Sequence, residues 1–298
     1  MFENNKLGIK NLLLDLEIIT EKDLVLFSKD TRDKKGLSVW KDKNTKVIFI
    51  NNFYVGKQEY VDGNYKYLKQ KITGKPNFER DMDLHRRTKM FSSLIFNKSI
   101  VDVGCGNGDF LLKTKNIAKK RYAVDIDQYG FSDLKKDGIN CSTNLNALPE
   151  NSIDIAFFFH SFEHFDNPLK MLKDVNKILK PKGKIIIEVP HAKDILLNQL
   201  CSEEFKNFTL WSQHLILHTR VSLEKLIKYA GFQDIKVEGV QRYPLSNHLH
   251  WLHSKKPGGH KSQLEILDNS DLKIQYEKTL QKIDATDTLI ACAEKIDI

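Results

Sequence analysis

Cysteine is scarce in this 298-residue chain, and the four present, Cys105, Cys141, Cys201 and Cys292, stand too far apart to form a CxxC pair. That spacing excludes a zinc ribbon and argues for reduced thiols, hence a cytoplasmic protein. Seven prolines and fifteen glycines are too few and too scattered for a low-complexity linker, and no internal repeat is visible. No apolar run approaches the ~20 residues of a membrane span. The N-terminal stretch "NLLLDLEIIT" is broken by Asp15 and Glu17, so it lacks the apolar core of a signal peptide. The net charge of +8 comes from 47 basic against 39 acidic residues, dispersed as single lysines rather than as a basic block. Nucleic acid is therefore not an expected partner, although phosphorylated small molecules suit such a balance. What is present is ordinary for a folded domain, 41% hydrophobic and 29% charged, in a length that holds one large domain or a domain with a smaller lobe.

Two textures divide the chain. Residues 1–78 are rich in Lys, Asn, Asp and Tyr, with short strand-like runs such as "KVIFI" (46–50), and predict a small α+β lobe that serves as a lid or binds substrate. From residue 79 to 298, strand-like and helix-like segments alternate, the pattern of a mostly parallel sheet covered on both faces. The predicted strands are 99–105, 121–126, 139–145, 152–160, 184–190, 232–240 and 287–295. Helices are expected at 79–97, 108–119, 131–138, 167–180 and 222–230, with a helical insertion at about 244–284. Asn167 and Pro168 suit an N-cap and first helical position, and Ser222 is the expected cap of the later helix.

The strongest local signal is "VDVGCGNGDF" (101–110), a strand running into a glycine-rich turn and a helix. Gly104, Gly106 and Gly108 let the backbone bend and a ligand lie against the peptide planes. A dinucleotide turn reads GxGxxG; here Asp109 occupies the third glycine position and Asp102 lies beneath. Those carboxylates disfavour a diphosphate and favour the ammonium and sulfonium of S-adenosylmethionine. About twenty residues on, "AVDID" closes the next strand, and Asp125, or failing it Asp127, suits the ribose hydroxyls.

The stretch "TNLNALPENSIDIAFFFHSFEHFDNP" resembles class I methyltransferases over about residues 80–295. The resemblance implies a Rossmann-like α/β fold with a seven-stranded, mostly parallel sheet. It also implies a cofactor set of Asp102, Gly104, Cys105, Gly106, Gly108, Asp125, Ile126, Asn144, Leu145 and His160. Asn144 would accept from the adenine amino group, and the Leu145 amide would meet the ring. More narrowly, "HSFEHFDNPLKMLKDVNKILKPKGKIIIEVPH" and "WSQHLILHTRVSLEKLIKYAGF" resemble methyltransferases of polysaccharide and deoxysugar biosynthesis. Gln213-His214 stands where those enzymes carry Glu-His. The cysteine-rich zinc lobe of the sugar C-methyltransferases has no counterpart here, which favours O-methylation.

A hydroxyl acceptor needs a base, and histidine suits that task near neutral pH. His214 is the first choice, followed by His164 and His160 past the fourth strand of the sheet. Gln213, His191, Arg242 and His248 are the candidate substrate-binding residues. "NHLHWLHSKKPGGH" reads as a loop in which His248, His250, His253, His260 and Trp251, with Lys255 and Lys256, form a substrate flap or a plain surface. No metal is expected, because that loop lacks carboxylates. Arg80, Arg86 and Arg87 on the helix before the first strand of the sheet suit a methionine carboxylate or plain solvent. Tyr60, Tyr65 and Tyr67 fit a lid or packing. A homodimer is compatible with the sequence. Three other readings stay open: another small-molecule, phosphate or RNA acceptor, although no NPPY-type motif is present; a non-catalytic S-adenosylmethionine binder; and an NAD oxidoreductase.

Overall fold

The computed structural model describes residues 8–56 and 78–297. Seven strands form its central sheet: β4 (Ser99–Val103), β5 (Lys120–Val124), β6 (Asn140–Ser142), β7 (Ile153–Phe159), β8 (Leu179–Pro190), β10 (Phe232–Val240) and β11 (Thr288–Lys295). Their order across the sheet is β10-β11-β8-β7-β4-β5-β6. Neighbours from β6 to β8 run parallel, and β11 is antiparallel to both β8 and β10. This is the doubly covered, mostly parallel sheet that the alternating sequence pattern predicts.

β7 shows why its sequence takes the centre. Side chains alternate between faces of a strand, and here both faces are apolar. Ala156 and Phe158 enter one core, while Ile155, Phe157 and Phe159 enter the other. One face is covered by α1 (Ile9–Asp15), α5 (Pro168–Ile178) and α8 (Arg220–Tyr229). The other is covered by α2 (Phe78–Ile95), α3 (Asp109–Lys113) and α4 (Phe131–Lys136). Phe157 is fully buried, and burying such a ring contributes about 1.5–3 kcal/mol.

A second sheet, of order β1-β2-β3-β9, is built from β1 (Leu24–Ser28), β2 (Val39–Asp42), β3 (Ile48–Ile50) and β9 (Ile216–Leu217). Its last strand comes from far along the chain, pairing Ile48 with Leu217 and Phe49 with Ile216. Phe49 and Ile216 also pack into the main core. The N-terminal strands are thereby fastened against the ligand-bearing edge of the larger sheet.

Several local expectations change. The helix expected over 108–119 spans only Asp109–Lys113, because the chain must turn to start β5 at Lys120. The strand expected over 139–145 ends at Ser142 and gives way to a short 3-10 turn at Leu145–Ala147. Thr219, not Ser222, caps α8. The Thr219 side chain accepts from the Ser222 amide, and the Ser222 hydroxyl accepts from the Thr219 amide at 2.9 Å. The stretch 247–260, expected as a loop, instead starts inside a helix, α9 (Leu245–Ser254), and ends in a 3-10 turn at Gly259–Lys261. Asn167 does cap α5, with Pro168 in its first turn. Among the described residues, no helix is long and apolar enough to cross a membrane.

Candidate active site

The order of the sheet reverses between β4 and β7, and ligands of open α/β sheets bind outside the carboxyl ends of strands at such a switch point. A cavity of about 960 Å³ opens there. Its first wall is the glycine turn. Gly104 has φ +75°, and a Cβ there would lie 2.5 Å from the Ser161 Cβ, so only glycine fits. Ser161 ties the two strand ends together by donating to the Val103 carbonyl at 2.6 Å. Gly106, with φ +53°, has no atom within 4 Å of a would-be Cβ, leaving its peptide open to a ligand.

Two acids sit under this turn. Asp125 accepts from the amides of Gly106 (2.8 Å) and Asp127 (2.9 Å), and burial raises its pKa. Asp102 is buried within β4, and its Oδ1 has no hydrogen-bond partner among the described residues. Burial, reinforced by Asp125 and Asp109 and only partly offset by Arg87, pushes its carboxyl up to about 7.

The opposite wall begins at His160, where β7 ends. Its φ of +51° is uncommon for a residue with a side chain and turns the ring back toward the sheet. His160 Nε2 lies 3.2 Å from Glu188 Oε1, and His160 Nδ1 lies 3.6 Å from Glu163 Oε1. Glu188 is fully buried at the end of β8 and accepts from Arg86 at 2.8 Å and from Arg87 at 2.6 Å. Burial alone would raise the Glu188 pKa, but Arg87, His160 and Arg86 hold it well below the usual carboxylate range.

Beyond His160, Glu163, His164 and His214 converge. His164 Nδ1 donates to the Gln213 carbonyl at 2.8 Å, and His214 Nδ1 donates to the Thr209 carbonyl at 3.2 Å. Burial, aided by His164, lowers the His214 pKa to about 4, so its ring is neutral at physiological pH. Glu163, which burial would raise, is held at about 2 by His160, His164 and His214. Trp211 packs edge-on against both rings, and Arg32, from the loop after β1, lies 4.7 Å over Trp211.

A family model described as a methyltransferase domain matches residues 78–237, more than half of the chain. The chain belongs to this methyltransferase-domain family. Among curated relatives, a sterol 4-C-methyltransferase of Caenorhabditis elegans is 26% identical over 43% of this chain and 42% of its own length. A tRNA U34 carboxymethyltransferase of Nautilia profundicola is 22% identical over 81% of this chain and 75% of its own length. The chain spans about half the length of the first curated relatives it matches. A SAM-dependent methyltransferase structure from Archaeoglobus fulgidus superimposes with a TM-score of 0.53 at 19% identity, covering 78% of this chain and all of that one, which establishes the shared fold.

The cofactor of this methyltransferase domain is S-adenosylmethionine, and the first wall fits it. The unpartnered Asp102 oxygen, the open Gly106 peptide and the Asp125 carboxylate offer what an ammonium, a thioether chain and a ribose diol require. When bound, the cofactor supplies a methyl group on a sulfonium, an electrophile that needs alignment more than activation. Asn144, Leu145, Ile126 and Cys105 also line this end, while Gly108 caps α3 behind it, packed on Leu134.

The other predicted positions are placed as follows. His160, His164 and His214 come together on one wall. His191 lines the cavity but is buried, with Nδ1 on the Thr286 carbonyl at 3.0 Å. Arg242 and His248 both line the cavity; Arg242 pairs with Asp83, and His248 is engaged by Tyr276 at 2.6 Å and by Gln241. The Gln213 side chain does not line the cavity; its contribution is the carbonyl that holds His164. Lys255 pairs with Glu204, and His260 pairs with Glu79. Carboxylates that the loop's own sequence lacks are thus supplied from elsewhere. Arg80 pairs with Asp109, while Arg86 and Arg87 hold Glu188. Tyr60, Tyr65 and Tyr67 lie outside the described residues. Sequence reasoning missed Glu163, Glu188, Arg32 and Trp211. The adjacency Glu163-His164 after an apolar strand was the available signal for the first; nothing local announces Arg32.

Proposed function

We propose that the chain methylates a hydroxyl oxygen of a polar small molecule, a sugar or nucleotide-linked sugar of surface polysaccharide synthesis, in a reducing, cytoplasmic setting. The observation that carries this reading is the His164–His214 pair, which lines the same cavity as the glycine turn and whose Nδ1 atoms are both fixed on carbonyls. A ring held in that tautomer presents Nε2 as its basic atom. As the acceptor oxygen bonds to the methyl carbon, its proton passes to an imidazole and the sulfur takes back the C–S electron pair. Trp211 offers an apolar face for a sugar ring, and Arg32 beside it suits a phosphate oxygen.

The test is His214→Ala, assayed with nucleotide-sugar acceptors alongside calorimetric titration of S-adenosylhomocysteine. Turnover is expected to fall roughly 10²–10⁴-fold, with cofactor affinity within about twofold of the parent. Parent-like turnover would remove His214 from the reaction.

A second reading, methyl or related group transfer to RNA, draws support from the tRNA-modifying relative that aligns along most of the chain. It predicts RNA binding that weakens steeply and log-linearly with salt. A nucleotide-sugar acceptor predicts a shallow dependence.

A further inference from the structure

We infer that Glu163, His164 and His214 form a binding site for a divalent transition-metal cation in the wall of the active-site cavity. One ring nitrogen of each histidine and one carboxylate oxygen of Glu163 lie within 4.8 Å of one another. Glu163 is 1% exposed, and neither of its oxygens has a hydrogen-bond partner among the described residues. Leaving a buried carboxylate without donors is costly, and the nearest ring nitrogens, at 3.6 Å and 3.9 Å, stand beyond hydrogen-bond reach.

The hydrogen bonds behind the two rings explain the arrangement. A carbonyl can only accept, so His164 and His214 each carry their proton on Nδ1. Nε2 is then the ring atom that can ligate a metal. His164 Nε2 faces Glu163 Oε1 at 3.9 Å. Acceptors that converge in this way are held together by a cation between them. A histidine whose far nitrogen donates to a backbone carbonyl is also the usual support of a metal-ligating imidazole. Bonds of about 2.0–2.1 Å to zinc keep two ligands at most about 4 Å apart, so shifts of less than about 1 Å close the set. Two imidazoles and one carboxylate suit Zn²⁺, Mn²⁺, Fe²⁺ or Co²⁺ rather than Ca²⁺ or Mg²⁺, and they leave coordination positions for an acceptor oxygen.

The role of the ion deepens the hydroxyl-acceptor reading and rests on it. With the ion bound, a coordinated hydroxyl would lose its proton to water more readily, and the histidines would hold the cation rather than take the proton themselves. The site itself does not depend on which acceptor is used.

The experiment uses the full chain, stripped with EDTA and equilibrated with Co²⁺ or Zn²⁺ before desalting. Bound metal is measured by atomic emission, and cobalt ligation by its visible absorption. The parent should hold about one ion per chain. Glu163→Gln, His164→Ala and His214→Ala should each bind at least about tenfold more weakly, with their fold checked by circular dichroism. His85→Ala, an exposed histidine of α2, serves as the control and should bind like the parent. Should Glu163→Gln fail to fold, the two histidine variants decide. Absence of stoichiometric metal in the parent overturns the inference, as does parent-like binding by folded His164→Ala and His214→Ala. A parent that binds no metal yet loses turnover in His214→Ala restores the simple base. A parent that binds metal but methylates no hydroxyl keeps the site and removes the acceptor reading.

Discussion

The two walls of the cavity solve opposite problems. At the glycine turn, the polar groups are backbone amides and carboxylates that satisfy one another within a few residues of two adjacent strand ends: Asp125 takes the amides of Gly106 and Asp127. At the histidine wall, side chains from distant segments converge around the buried Glu163, whose two oxygens have no hydrogen-bond partner among the described residues. The first wall leaves one buried oxygen, that of Asp102, without a partner; the second leaves both oxygens of Glu163 so among the described residues. Glu188 joins them. It takes Arg86 and Arg87 from the helix that leads into the turn and stands 3.2 Å from His160 on the other side.

That shared post is where the comparison breaks most visibly. Glu188→Ala would leave the Arg87 guanidinium without its carboxylate and Arg86 with Asp83 alone. Removing one partner of a buried pair costs about 3–5 kcal/mol. At roughly 2–4 °C per kcal/mol, calorimetry should record a fall in Tm of roughly 6–20 °C. His160 should be released with it, lowering turnover as well. An unchanged Tm would mean that the two walls stand independently.

A smaller effect sharpens the contrast. Asp125→Ala should weaken S-adenosylhomocysteine binding by roughly 100-fold, the loss of charge-assisted bonds to a diol. Metal content and acceptor affinity, properties of the other wall, should not move. If Asp125→Ala alters them, the division of labour is wrong.

The same contrast decides what the sequence discloses. Gly104, Gly106, Gly108 and Asp125 are legible because a strand, a turn and the end of the next strand lie within 22 residues of one another, and local backbone geometry dictates their types. β7 is legible for a similar reason, since a run buried on both faces admits only apolar residues. Arg32 reaches the cavity because β9 closes the N-terminal sheet, a pairing between residues almost 170 positions apart that no periodicity encodes. Arg242 and His248 line the cavity, but that each is engaged, by Asp83 and by Tyr276, was hidden for the converse reason: those partners are remote in sequence. Glu163 stood next to a candidate histidine, but its burial, which gives it meaning, is a property of the packed chain alone.

The mildest test turns on the proton that Asp102 holds. Its carboxyl, raised to about 7 by burial, is largely protonated in the ligand-free protein below that pH. An ammonium placed against the unpartnered oxygen favours the ionised form, so binding at lower pH must expel a proton. The sign follows: affinity is full above about pH 7 and declines as pH falls through it. The slope approaches tenfold per pH unit for one linked proton. Calorimetric titration of S-adenosylhomocysteine between pH 6 and pH 8 in buffers of different ionisation enthalpy reads both the slope and the proton released. Asp102→Asn cannot titrate and should flatten the profile while binding weakly throughout. A profile equally steep in Asp102→Asn would place the titrating group elsewhere and leave Asp102 a packing residue beneath the turn.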